Sequence, residues 1–282
     1  MIIDIILVII GLIGLILATL NDIKHKEVPD FISYSLIAIG LSLRLIYLLT
    51  YKQYSYFLYA LLYGAIFFGL GSIMYYTKQW GGGDTKLLTA LSVIFATKPY
   101  FIQQIKIPFF MILLINILLI GFLYSLIYSI ILAIKNRHKF LQEYYLLSKK
   151  YKKFKIIALI LALLILIIMF LLNNNILKLL FISLSFAIIF YIYLFIFIKS
   201  VEKVSMFKLI PTSKLTEGDW IANSETRSKF NIPKTGIEKK QINLIKKSKI
   251  KEILIKDGIP FVPPFLVGTI ITLLSGKILF LF

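Results

Sequence analysis

The sequence predicts an all-α polytopic membrane protein, a bundle of about eight transmembrane helices with a small cytoplasmic α+β insertion. Composition is the first observation behind this prediction: hydrophobic residues make up 59% of the 282 residues and charged residues 16%. Soluble proteins average roughly 45–50% apolar and about 25% charged residues. The second observation is that apolar runs long enough to cross a bilayer recur along most of the chain.

Eight apolar runs are the predicted spans: residues 2–20, 31–49, 55–76, 86–105, 108–134, 156–172, 176–198 and 259–281. The run at 86–105 is the weakest, because Lys98 and Pro99 interrupt it. The first run has no basic residues before it and no small-residue cleavage site, so we expect it to be retained and not removed as a signal peptide. Arg44 lies inside a span near its outer end, where we expect its charge to reach toward the interface.

The basic residues predict the orientation, since short cytoplasmic loops are enriched in Lys and Arg. With the N-terminus outside, the loops at 21–30, 77–85, 135–155 and 199–258 face the cytoplasm. Counting Lys86 at the membrane edge, these loops carry 26 of the 32 Lys and Arg residues. Basic loops on one side of a lipid bilayer explain the net charge of +19. No nucleic-acid-binding signature is present. We therefore expect the cell membrane as location, and no nucleic acid as partner.

Four segments follow from the spans and loops. We expect a membrane bundle with the catalytic residues over 1–135, and a basic cytoplasmic loop with two further spans over 136–198. A small cytoplasmic subdomain over 199–258 and a C-terminal span over 259–282 complete the chain. Within the subdomain, 214–220 and 252–258 resemble short strands and turns around a helix near 238–250.

Several kinds of chemistry are disfavoured by what the chain lacks. Cysteine is absent, which excludes disulfides, thiolate metal sites and cysteine nucleophiles. Only two histidines occur, His25 and His138, and no H-E-x-x-H motif is present. We therefore expect neither a metal nor a cofactor.

Two aspartates are the candidate catalytic residues. Asp22 follows the first span, and Asp84 closes Gly81-Gly82-Gly83-Asp84 just before the fourth. The predicted topology brings both to the cytoplasmic face. Two adjacent carboxyls hold one proton between them, so the ionised one can take a proton from water while the protonated one polarises a peptide carbonyl. The glycines allow close backbone approach and positive φ beside the site.

These residues carry a family resemblance. Asp22 followed by Val28-Pro29-Asp30, and Gly81-Gly82-Gly83-Asp84-Thr85-Lys86, resemble the two signature motifs of the type IV prepilin peptidases and archaeal preflagellin peptidases. The resemblance covers roughly residues 5–135. In the C-terminal part, Leu215–Trp220 and Gly258–Phe265 resemble an archaeal C-terminal extension.

The resemblance implies a membrane aspartic endopeptidase that removes a short basic leader from pilin-like or archaellin precursors. Asp22 and Asp84 would be the catalytic pair and need no cofactor. The residues expected to shape the site or bind substrate are Gly81, Gly82, Gly83, Lys86, Glu27 and Asp30. Glu27 and Asp30 would attract the basic leader, although both could equally cap or solvate the second span. Many bacterial members carry a cysteine-bearing loop and also N-methylate the pilin; because this chain has no cysteine, methyl transfer is not expected.

Three alternatives stay open from the sequence. A relation to the presenilin and signal-peptide peptidase proteases would share Gly-x-Gly-Asp, but their first motif is Tyr-Asp within a span, whereas Asn21 precedes Asp22 at the edge of one. A transporter of small solutes would favour acids deep in the membrane or broken helices at its midplane. A non-catalytic scaffold that binds pilin-like precursors would keep the motifs without cleaving.

Overall fold

The computed structural model describes residues 2–77, 79–102, 107–233, 236–248 and 250–279. Over these residues it contains eleven α-helices and three β-strands. The helices are α1 (Ile2–His25), α2 (Asp30–Tyr51), α3 (Tyr54–Tyr76), α4 (Gly82–Ile94), α5 (Phe109–Lys135), α6 (Arg137–Lys150), α7 (Lys152–Phe170), α8 (Asn175–Val201), α9 (Ser224–Lys229), α10 (Lys239–Lys246) and α11 (Val262–Ser275). The strands are β1 (Phe207–Pro211), β2 (Trp220–Ile221) and β3 (Glu252–Lys256). Residues 1, 78, 103–106, 234–235, 249 and 280–282 of the predicted segments lie outside the described residues.

Among the described residues, six helices are long and apolar enough to cross a membrane: α1, α2, α3, α5, α7 and α8, the last continued to Met206 by a short π-helix. Each coincides with a predicted span, which confirms the all-α multi-pass membrane fold. The fourth and eighth predicted spans coincide with the shorter helices α4, of 13 residues, and α11, of 14. A helix of that length reaches only about 20 Å, so the count of eight spans stays a prediction.

The first of two compact units comprises the described residues up to 126 and from 258 onward. Its centre is α4, which packs against α2 and α3. Every residue of α4 from Leu87 to Ile94 is buried. A helix that is apolar on all sides is stable only where other elements enclose it, so the longer helices hold α4 in place.

Arg44, on α2, is held by hydrogen bonds at the C-terminal end of α4. Only 1% of its surface is exposed. Its guanidinium donates to the carbonyl oxygens of Val93 at 3.0 Å and Tyr56 at 3.0 Å, and to the Thr97 hydroxyl at 3.1 Å. The expectation that this side chain extends to the interface is wrong, because the last carbonyls of a helix lack partners within it and attract a cation.

The second unit comprises residues 127–257. Here α7 and α8 pack against each other, and Asn174 caps α8 by accepting from the N–H of Ile176 at 2.8 Å. Residues 135–155, predicted as a basic loop, include the helix α6. Their charge does not prevent a helix, since Lys and Arg have high helix propensity.

The α+β insertion is confirmed as an antiparallel sheet of order β1-β3-β2, in which Leu209 lies opposite Leu254 and Trp220 opposite Lys256. Its apolar side packs into a small core with α10. The predicted strand near 252–258 and helix near 238–250 correspond to β3 and α10. Over 214–220 the chain mostly turns instead, because Gly218 has φ 94° and the Asp219 carboxylate accepts from the N–H of Thr216. The predicted segment boundaries stay predictions.

Candidate active site

Asp22 lies in the last turn of α1, with 5% of its surface exposed. The helix ends three residues later at His25, and Lys26 then turns the chain toward α2 with φ 59°. One carboxylate oxygen of Asp22, Oδ2, accepts a 2.8 Å hydrogen bond from the backbone N–H of Val262. The side chain is therefore removed from solvent and fixed by a residue 240 positions later in the chain.

Asp84 lies at the other motif, in the first turn of α4. Gly81 precedes the helix with φ −74° and ψ 162°, and its N–H donates to Oδ2 of Asp84 at 3.0 Å. Satisfying a free N–H at a helix N-terminus in this way stabilises the start of the helix. The motif thus holds the Asp84 carboxyl by a local contact that its own glycine supplies.

The two aspartates act on each other electrostatically. Burial and the nearby negative charge of Asp22 raise the pKa of Asp84 to about 7, while the N–H of Gly81 opposes the rise. Two carboxyls in such a setting resist simultaneous ionisation. Together they can hold one proton near neutral pH, which is the state that general acid–base hydrolysis by paired carboxyls needs.

The three motif glycines differ in what surrounds them. An added Cβ at Gly83 would lie 3.0 Å from Cβ of Val28 and 3.3 Å from its backbone nitrogen, whereas one at Gly82 would make an ordinary contact with Tyr75 at 3.7 Å. None of the three has positive φ, so that part of the expectation is wrong, since α4 begins at Gly82 with ordinary helical geometry. Close approach is needed at Gly83, where the first motif packs directly against the second.

Lys86 and Asp30 form an ion pair across the two motifs. The Lys86 ammonium lies 2.6 Å from Oδ1 of Asp30 and 5.5 Å from the ring centre of Tyr34. The pair remains partly open to solvent, with 32% and 58% of the respective side chains exposed. Asp30 is the first residue of α2, and Pro29 before it makes no side-chain cap. Asp30 therefore has a partner in Lys86.

Glu27 is exposed on the loop between α1 and α2. Its backbone carbonyl accepts from the side chain of Asn21 at 2.6 Å, and the Asn21 oxygen lies 3.1 Å from Nδ1 of His25. Asn21, directly before Asp22, thus ties the end of α1 to the loop that follows. Glu27 is therefore exposed to solvent, whereas Asp22 is buried.

Three parts of the site were not predicted from sequence. Thr85 donates to the carbonyl of Gly71 at 3.0 Å and joins α4 to α3. Trp80 is buried and its ring lies 6.1 Å from that of Phe261. The N–H of Val262 reaches Asp22. For the Val262 contact, the sequence offers one signal: Pro263-Pro264 indicates that a helix starts here. The local sequence does not indicate which residue the start of that helix contacts.

Among the described residues, no group of three or more His, Asp or Glu side chains is placed to hold a metal ion. The chemistry that the described site offers is that of two carboxyls, backbone N–H groups and a nearby ammonium. Water activated by a carboxylate is the nucleophile that such a set can produce.

Known proteins resemble this chain over part of its length. The family model of the type IV leader peptidase family matches residues 9–133, which include both motifs. Prepilin peptidase EppA of Methanothermobacter thermautotrophicus is 25% identical over 172 residues, covering 57% of this chain. The chain spans about half the length of that relative, 45%. Residues 9–133, which contain the two aspartate motifs, are therefore similar to the type IV leader peptidase family, in agreement with the resemblance that those motifs indicated.

Proposed function

We propose that this protein is a membrane aspartic endopeptidase that removes the short basic leader from type IV pilin-like or archaellin precursors. The observation that carries the proposal is the electrostatic interaction between Asp22 and Asp84, within the region that matches a peptidase family. The raised pKa of Asp84 supports a shared proton near neutral pH.

In the proposed mechanism, a water molecule lies between the pair and the scissile carbonyl. The ionised carboxylate takes a proton from water as its oxygen attacks the carbonyl carbon, and the protonated carboxyl gives its proton to the carbonyl oxygen. The resulting tetrahedral diol collapses when the C–N bond breaks, and the leaving amine receives a proton from the carboxyl that had taken one from water. As the new carbonyl forms, one hydroxyl of the diol returns its proton to the other carboxylate, so the pair again holds one proton and the site is regenerated.

The site would face the cytoplasm, because the loops that hold both motifs belong to the more basic set. A precursor whose apolar helix lies in the bilayer would then present its leader to the membrane surface. Glu27 and Asp30 lie beside the first motif and carry the charge to attract a basic leader. Lys86 would compete with the leader for Asp30, while Glu27 is exposed.

A cleavage assay in membranes tests this function. Wild-type protein would be mixed with precursors of archaellin and of several other pilin-like proteins, beside Asp22→Asn and Asp84→Asn at equal protein levels. We expect wild type to cleave at the leader boundary, and each substitution to lower the rate by at least about a thousandfold. Absence of cleavage by wild type would favour a scaffold or transporter. Cleavage that survives both substitutions would exclude this pair.

A further inference from the structure

The start of α11 is directed at the candidate catalytic pair. Val262 is the first residue of the helix, and its N–H donates to Oδ2 of Asp22 at 2.8 Å. The next two residues are Pro263 and Pro264, which have no N–H. Val262 therefore supplies the only N–H among the first three positions of this helix.

The chain around this contact is fixed at both sides of the helix start. Ahead of it, the Lys26 ammonium donates to the carbonyl of Gly258 at 3.1 Å. At the helix start itself, the Trp80 ring packs against the rings of Phe261 at 6.1 Å and Phe265 at 5.8 Å. The Val262 N–H thus has a position set by contacts independent of Asp22.

The far end of α11 is held by a buried asparagine of α5. The Asn116 amide donates to the Thr272 hydroxyl at 2.9 Å and to the carbonyl of Lys277 at 2.9 Å, and its oxygen accepts from the N–H of Leu279. Along the helix, an added Cβ at Gly268 would lie 2.9 Å from the backbone of Ile117. The helix is therefore packed closely against α5 within the unit that contains both motifs.

We propose that the backbone N–H of Val262 is a positioning group of the active site, which orients the Asp22 carboxylate and keeps it as the ionised member of the pair, so that Asp84 carries the proton. This inference rests on the proposed function and deepens it. It also makes the C-terminal segment 258–275, which lies outside the family-matched residues 9–133, part of the catalytic unit.

The physical reason is the difference between the two carboxyls. Burial disfavours the ionised form of Asp22, and the N–H groups of Val262 and Phe261 and the charge of Lys26 oppose that effect, because a backbone N–H at a helix N-terminus favours a negative charge. Among the described residues, the N–H of Gly81 is what offsets the burial of Asp84 and the charge of Asp22. Because a carboxylate is planar, fixing one oxygen of Asp22 also sets the direction of the other, which would accept the proton of the attacking water.

The test removes the N–H and leaves the rest of the chain in place. In the full-length protein, Val262 is replaced by its α-hydroxy acid analogue, which changes the backbone amide to an ester and retains the side chain. Val262→Pro removes the same N–H by ordinary substitution, and Val262→Ala retains it while shortening the side chain. All are compared in bilayers at matched protein levels.

Two readouts separate this inference from the proposed function. The first is the pH profile of precursor cleavage. The ester and Val262→Pro should shift its acidic limb to higher pH by about one unit and lower the cleavage rate. Val262→Ala should have its acidic limb at the same pH as wild type. The second needs no activity. In protein with ¹³C-labelled aspartate, the Asp22 resonance, identified by its loss in Asp22→Asn, should titrate at higher pH in the ester form than in Val262→Ala.

Titration of Asp22 at the same pH in the ester form and in Val262→Ala would overturn the positioning role, whatever the enzyme cleaves. If the titration of Asp22 shifts but wild type cleaves no precursor, the effect of the Val262 N–H on Asp22 is supported and the proposed peptidase function is contradicted. A shifted titration with a shifted acidic limb is the result that we expect.

Discussion

The guanidinium Nη2 of Arg44 donates a 2.9 Å hydrogen bond to the carbonyl oxygen of Ile94, the last residue of α4. The same helix carries Asp84 in its first turn, at the opposite end. The buried guanidinium of Arg44 therefore holds the C-terminal end of α4, the helix that positions Asp84.

Arg44→Met should destabilise the protein by several kcal/mol, because it leaves buried carbonyls without partners at about 1–3 kcal/mol each. The melting temperature in detergent micelles measures this effect, and precursor cleavage should fall with it as α4 shifts. Lys52→Met, an exposed position just after the same helix α2, is the control and should change stability by less than about 0.5 kcal/mol. Equal melting temperatures for the two variants would contradict the role of Arg44.

Gly83→Ala and Gly82→Ala form a matched pair in the first turn of α4. The new methyl at 83 would press on Val28 at 3.0 Å, while that at 82 would make ordinary contact with Tyr75. We expect Gly83→Ala to lower the cleavage rate at least about tenfold, since small displacements of catalytic groups are costly. Gly82→Ala should be within a few-fold of wild type, and slightly more stable because alanine favours a helix by about 0.5–1 kcal/mol. Equal losses in both variants would show that the packing at Gly83 is not the cause.

Cleavage should decline as pH rises through about 7. The pKa of Asp84 is raised to about 7 by burial and by the charge of Asp22, and the proposed mechanism needs its protonated form. The pair titrates as a unit, so the measured limb belongs to both carboxyls. The rate constant kcat/KM, measured from pH 5 to 9 on one precursor, checks the prediction, and a rate that is constant or rises between pH 7 and 9 would contradict it.

The same pKa predicts a trend in thermal stability. Folding raises the pKa of Asp84 from its ordinary 3.8 to about 7, so the folded state binds this proton more tightly than the unfolded state. The free energy of unfolding therefore decreases as pH rises between these two values. This contribution is complete below about 3.8 and is lost as pH rises through about 7. Asp84→Asn has no proton to lose there, so its melting temperature should vary less over this window than that of wild type. Parallel curves for the two proteins would rule out Asp84 as the titrating group.

Glu27 should contribute more than Asp30 to recognition of a basic leader. Asp30 is already paired with Lys86 at 2.6 Å, whereas Glu27 is exposed. Glu27→Gln should raise KM a few-fold at low salt, and added salt should reduce the difference because exposed charges are screened within about 8–10 Å at physiological salt. Asp30→Asn should have the smaller effect. A precursor whose leader lacks Lys and Arg is the control, and an equal rise in KM for that precursor would argue against charge recognition.

Much of the fold follows from local sequence. The apolar runs at α1, α2, α3, α5, α7 and α8 are long enough to specify membrane helices, because the bilayer sets the required length. The strand and helix of the insertion were recognisable near Glu252–Lys256 and Lys239–Lys246. The helix α6 was missed, since a high density of charge suggested a loop although Lys and Arg favour helices.

The sequence by itself indicated the resemblance to a peptidase family, the membrane character of the chain and the two candidate aspartates, because each of these depends on a short motif or a continuous run of residues. The tertiary structure decided which groups contact those aspartates. Arg44 reaches the end of α4 across 50 positions, and the N–H of Val262 reaches Asp22 across 240. Contacts of that kind depend on how separate helices pack, and no local pattern of residues encodes the partner of a backbone N–H.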